Sequence, residues 1–143
     1  MKKLFLFAAM MATILLTACG GSGARQKSVN SLPEDLQDFV WEMNSMIERK
    51  LSDDVIHFEK TVVEDNNLVC LFTFNEDNDK GMNLRQFLKY EVSEQSIYDE
   101  FVRQLNKRCN TEVLREYKYN VIVRFTGSKS KYVKDIKISY KDF

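Results

Sequence analysis

The sequence predicts one α+β domain: a four-stranded, mostly antiparallel sheet with its helices packed on one face, in the order α-β-β-α-β-β. Three observations carry that reading. Two long segments repeat apolar residues at helical spacing, four segments are β-branched, aromatic or alternating, and polar turn clusters separate the members of each strand pair. The composition agrees. Of 143 residues, 44% are hydrophobic and 12% aromatic, with five Gly and one Pro, which excludes a disordered chain. No internal repeat or sustained heptad exists, which excludes a solenoid or coiled coil.

Each element follows from its residues. Ser31-Leu32-Pro33-Glu34 has the pattern of a capping box, and Leu36, Phe39, Val40, Met43, Ile47 and Leu51 then mark one apolar helical face to about Lys50. Val55 to Val63 is strand-like and leads into the turn cluster Glu64-Asp65-Asn66-Asn67. Leu68 to Phe74 is almost wholly apolar, as a central strand is, so the two form a hairpin. Residues 75–83 are a polar loop, and Leu84 to Tyr90 fits either a short helix or an extended piece. Glu94 to Cys109 is the second main helix, with Ile97, Phe101, Leu105 and Cys109 every four residues and Ser93 as its cap. Tyr117 to Phe125 alternates on odd positions and Tyr132 to Tyr140 on even ones, with Gly127-Ser128-Lys129-Ser130 between them.

The amino terminus has a different character. Met1-Lys2-Lys3 is followed by an apolar run from Leu4 to Leu16, too short at about 1.5 Å per residue to cross a roughly 30 Å hydrocarbon core. Residues 1–18 therefore form a signal peptide rather than a membrane span. Leu16-Thr17-Ala18-Cys19 resembles the lipobox of bacterial lipoprotein precursors. The resemblance implies that the signal peptide is removed and that Cys19 becomes the acylated first residue, anchored by acyl chains that each add about 0.8 kcal/mol per buried methylene. Gly20 stands where an Asp retains such proteins at the inner membrane, so the resemblance implies the outer membrane, facing the periplasm. Residues 19–30 then comprise the lipidated Cys19 and a flexible tether, and residues 31–143 the domain.

Removal of residues 1–18 leaves 19 basic and 21 acidic side chains. They are unevenly placed. Residues 31–99 hold 16 acidic and 6 basic side chains, and residues 100–143 hold 5 acidic and 11 basic. That asymmetry fits either complementary faces within the fold or a bipolar docking surface.

Few residues have the makings of chemistry. With Cys19 given to lipid, Cys70 and Cys109 form an even pair that an oxidising compartment allows to bridge, and each also lies on an apolar stripe as a small buried hydrophobe would. No C-x-x-C is present to activate either thiol. His57 is the sole His, so neither a multi-His zinc site nor a His-based catalytic dyad without His57 can be assembled. Asn75, Asp77 and Asp79 occupy the first, third and fifth positions of an EF-hand-like loop. That loop fails at Lys80, which precedes Gly81, and at Gln86, where a bidentate Glu is required. No metal and no cofactor are expected. Lys129, Lys131, Lys137 and Lys141 with Tyr132 and Tyr140 superficially resemble a nucleic-acid platform, but an exported chain does not meet that partner.

The expected function is accordingly a non-enzymatic, membrane-anchored envelope lipoprotein whose domain binds another envelope component. The alternative is a carrier of a small apolar ligand, with a pocket lined by Phe58, Phe72, Phe74, Phe101 and Phe125. An enzyme, built on Glu59 beside His57, ranks third.

Overall fold

The computed structural model describes residues 26–143, so Cys19 and the signal peptide lie outside the described residues. Five strands form one sheet in sequential order: β1 (Gln26–Lys27), β2 (Ile56–Glu64), β3 (Asn67–Phe74), β4 (Asn120–Gly127) and β5 (Val133–Ile138). The α-helices of the described residues are α1 (Glu34–Lys50), α2 (Leu84–Tyr90), α3 (Glu94–Arg108) and α4 (Glu112–Tyr117).

The domain is α+β, but its sheet departs from the expected one in strand number and direction. β2 and β3 make the predicted antiparallel hairpin, as do β4 and β5. β3 and β4 run parallel, with Leu68 beside Val121 and Phe72 beside Phe125. The cause is the connection. Between Phe74 and Asn120 the chain passes through three helices, and a crossover of that length returns the second hairpin in the same direction as the strand it left. The fifth strand is β1, where Gln26 and Lys27 pair with Glu64 and Val63. The end of the expected tether is thus the edge of the sheet, and the fold starts upstream of Ser31.

Helix α1 also starts later than its capping pattern suggests. Leu32 is extended (φ −74°, ψ 156°) because the ring of Pro33 crowds the helical conformation of the residue before it. Pro33 becomes the N-cap. The Ser31 hydroxyl donates to the Ser28 carbonyl at 2.6 Å, and the Ser31–Glu34 capping box is not made. From Glu34 onward Leu36, Phe39, Val40, Met43, Met46 and Ile47 are all buried, each worth about 1.5–3 kcal/mol against exposure. The segment 84–90 proves helical, and its start is readable in retrospect: Asn83 accepts the Gln86 amide while Gln86 accepts the Asn83 amide.

β2 does not alternate cleanly, and its pairing explains why. Phe58 lies opposite Phe72 and Lys60 opposite Leu71, so Glu59 is an extra, unpaired residue. This bulge resets the phase, placing Phe58, Thr61 and Val63 on one face despite the three-residue step. With Leu68, Cys70, Phe72, Phe74, Val121, Val123, Phe125, Ile136 and Ile138 they meet the buried sides of the helices in one core.

The opposite face of the sheet mixes polar side chains with Val62, Leu71, Ile122 and Val133, and at its centre Val69 is fully buried. Arg124 accounts for this: its guanidinium donates to Asp135 at 2.8 and 3.0 Å and reaches across β3 to Glu64 at 2.7 Å. One arginine ties β2, β4 and β5 together over the central strand.

Candidate interaction surface

The structure distributes the residues singled out in the sequence rather than gathering them. Cys70 and Cys109 are both free thiols, so the bridge that an even pair allows is not formed. Cys70 is packed in β3 against Met43 of α1, with sulfur atoms 3.8 Å apart, and the Thr61 hydroxyl lies 3.9 Å away. Burial pushes its thiol up to about 12. Cys109 caps the end of α3, half-buried, and burial with the nearby Glu42 carboxylate raises it to about 11.

His57 stands exposed on the open face of the sheet, with Nε2 4.0 Å from Glu59. The Glu59 carboxylate accepts the Thr73 hydroxyl at 3.1 Å. The pair sits on a surface strand rather than in a recess. Among the described residues no group of three or more His, Cys, Asp or Glu side chains is placed to hold a metal ion.

The basic residues of the last hairpin also separate. Lys129 pairs with Asp77, Lys131 donates to the Ser128 carbonyl at 2.8 Å, and Tyr132 lies under the Arg85 guanidinium at 4.5 Å. Lys141 lies over Tyr140, while Lys137 faces the other side of the sheet beside Ile122. They form no common platform.

The loop 75–83 contains a charge that sequence reasoning missed. Glu76 is buried, and its carboxylate accepts the backbone amides of Lys129 (2.7 Å), Ser130 (2.6 Å) and Leu84 (3.1 Å). Burial alone would raise its pKa, but these hydrogen bonds outweigh it and hold the carboxyl at about 2. Gly127 makes room for the arrangement, since a Cβ there would stand 2.6 Å from Glu76 Oε1. The chemistry is that of a structural latch between two loops.

The phenylalanines expected to line a pocket pack in the core, and Phe72, Phe101 and Phe125 also border a recess there while Phe74 borders a cleft. Phe72 packs on Phe58, Phe101 and Phe125 with ring centroids 5.3–5.9 Å apart, and Phe74 packs on Phe87 at 4.8 Å. What remains at their edge is a recess of about 150 Å³ bounded by Leu51, Ile56, Val92 and Ile97. A larger cleft of about 320 Å³, bordered by Phe74, Met82, Phe87 and Lys80, opens beside the 75–83 loop.

The feature that stands apart is on α1. Trp41 is 72% exposed. At 100° per residue Asp38, Trp41, Glu42, Ser45 and Arg49 share one stripe, opposite the buried stripe of Leu36, Met43 and Ile47. Two recesses flank this stripe and share Glu42. Toward the amino end, about 320 Å³ is bordered by Asp35, Asp38, Glu42, Glu112 and Glu116 with no basic residue. Toward the carboxyl end, about 350 Å³ is bordered by Trp41, Arg49, Lys107 and Arg108. The acidic side makes itself felt on a neighbour: burial, Asp35 and Glu116 together raise Tyr117. Arg124, Arg103, Lys134 and Lys80 are each neutralised by a carboxylate elsewhere on the surface. Among the described residues Asp35, Asp38, Glu42, Glu116, Arg49, Lys107 and Arg108 are in no such pair. An acidic and a basic recess thus adjoin each other along α1, each drawing on both halves of the chain, with the Trp41 indole on the border of the basic one. One signal could have found it: Trp41 falls off the apolar stripe of the first helix.

Comparisons with family models, with curated proteins and with solved structures find no match to this chain.

Proposed function

We propose that the chain is a membrane-anchored envelope lipoprotein without enzymatic activity, held by acyl groups on Cys19 at the outer membrane and facing the periplasm, whose domain binds a protein component of the envelope. The observation that carries the binding part is Trp41, a large apolar side chain left in water on the border of a basic recess that adjoins an acidic one. An exposed aromatic with arginine beside it is the composition of an interface centre, not of a solvated face. The anchoring part rests on the lipobox-like Leu16-Thr17-Ala18-Cys19. No helix among the described residues is long and apolar enough to cross a membrane.

The non-enzymatic reading is supported by the separation of the titratable side chains. His57 and Glu59 meet on an open strand face, and the strongly shifted carboxyl, Glu76, is consumed by backbone amides. The carrier reading has two observations in its favour, the apolar recess at Phe72 and Phe101 and the cleft beside Phe74, Met82 and Phe87. The recess, at about 150 Å³, is below the roughly 300 Å³ at which ligand pockets begin, and the cleft, at about 320 Å³, stands at that lower bound.

Fractionation tests the anchor and crosslinking tests the binding. Wild-type protein is expected in washed membranes and Cys19→Ser in the soluble or unprocessed fraction; a Cys19→Ser protein that remains in processed form on washed membranes would overturn the lipid anchor. A photo-crosslinking residue at Ser45 is expected to give reproducible protein adducts in the native envelope that the same residue at Thr73 does not. Equal patterns from both positions would overturn the assignment of this face. Native mass spectrometry decides the alternative, since a co-purifying small molecule is the carrier's signature.

A further inference from the structure

We propose that the occupant of the α1 surface is a second copy of this chain, docked through a two-fold axis that crosses α1 between Glu42 and Ser45. This rests on the reading of that surface as a protein-binding face and names its partner.

The argument is one of symmetry. A two-fold interface brings the same patch to itself reversed, so a patch is self-complementary when its two halves carry opposite charge about a midpoint. The α1 stripe has this property. Asp38 and Arg49 lie on the same face, eleven positions apart, and both are exposed. In an antiparallel approach centred between residues 43 and 44, Asp38 of each copy faces Arg49 of the other. The flanks agree, because the acidic recess with Asp35, Glu112 and Glu116 falls on the partner's basic recess with Lys107 and Arg108. The two Trp41 indoles flank the axis, where interface energy concentrates.

The size sets the strength. α1 has 17 residues and is about 26 Å long and about 10–12 Å across, so it offers on the order of 300 Å² per copy. The adjoining recesses at the ends of α3 and α4 must add to it for the total to approach the roughly 1,000 Å² of a specific interface. Such a contact is weak in dilute solution. Anchoring both copies to one membrane raises their effective concentration and favours it there.

The test uses the full lipidated chain in its native envelope. Two copies with different epitope tags are co-expressed and crosslinked, and capture of one tag by the other is measured. Wild type is expected to capture itself. Asp38→Arg with Asp38→Arg, and Arg49→Glu with Arg49→Glu, are each expected to lose capture by at least about fivefold, because like charges then face each other twice. Asp38→Arg co-expressed with Arg49→Glu is expected to recover it, since both contacts are restored across the axis. Such recovery requires each copy to present one residue to the other. The proposal is overturned if single variants capture as wild type does, or if the mixed pair recovers nothing. Absent self-capture alongside Ser45 adducts to a different protein overturns the second copy but leaves the binding face standing. Absence of both overturns both.

Discussion

The Glu76 carboxylate accepts the Ser130 backbone amide at 2.6 Å, although the two residues are 54 positions apart. With the Lys129 and Leu84 amides on the same group, this one side chain fixes the β4–β5 turn and the start of α2 against the loop that follows β3. The latch makes a prediction about pH. A carboxyl whose folded pKa is lowered from 4.5 to about 2 contributes stability above pH 4.5 and loses it as pH falls toward about 2. Glu76→Gln is expected to cost about 1–3 kcal/mol at pH 7, with the gap to wild type closing between about pH 4.5 and pH 2. Urea denaturation across that range measures it, and a gap independent of pH would contradict the assignment.

Arg124 should matter more than its place on an open sheet face suggests. Arg124→Ala removes donors to Glu64 and Asp135 and uncovers Val69, for an expected loss of about 2 kcal/mol. Arg124→Lys is expected to recover about half, since an ammonium cannot serve two carboxylates in the fork geometry of a guanidinium. Thermal or urea unfolding checks both values.

The two cysteines of the domain should titrate as separate thiols. Non-reducing peptide mapping is expected to show no link between Cys70 and Cys109. Cys70, with its pKa near 12, should resist alkylation at pH 8 until the domain unfolds, while half-buried Cys109 reacts slowly in the native state. Rapid modification of Cys70 would mean that β3 and α1 do not pack as described.

Trp41→Ala separates binding from folding. Because the side chain is 72% exposed, the substitution should change stability by no more than about 0.5 kcal/mol, while capture by the partner falls. Gly127→Ala is the opposite case: it should destabilise the latch, because its Cβ meets Ser130 Oγ and Glu76 Oε1, and leave the binding face intact.

How much of this was legible in the sequence depends on the range of the interaction involved. α1, α3 and both hairpins were readable because their signals are local: Leu36 to Ile47 repeat every three or four residues, and Val121, Val123 and Phe125 alternate. The parallel pairing of β3 with β4 was not, since nothing in Leu68 to Phe74 states which strand returns beside it. The bulge at Glu59 hid the phase of β2. α4 went unseen because six residues are too few to show a period. Glu76 was unreadable in a loop of similar polar residues, for its three amide partners come from distant turns. Of the candidate site, the charge asymmetry along the chain did not show the two recesses, because each joins residues of both halves: Asp35 and Asp38 with Glu112 and Glu116, and Arg49 with Lys107 and Arg108. Their assembly required the end of α3 and the start of α4 to be placed beside α1.

The most direct test of the central claim is a comparison of two exposed aromatics in the native envelope. Trp41 and Tyr90 are 72% and 65% exposed and lie on different helices. Protein adducts formed from a photo-crosslinker at Ser45 are predicted to disappear with Trp41→Ala and to persist with Tyr90→Ala. Adducts that survive Trp41→Ala at wild-type yield would contradict the account of α1 as the binding face.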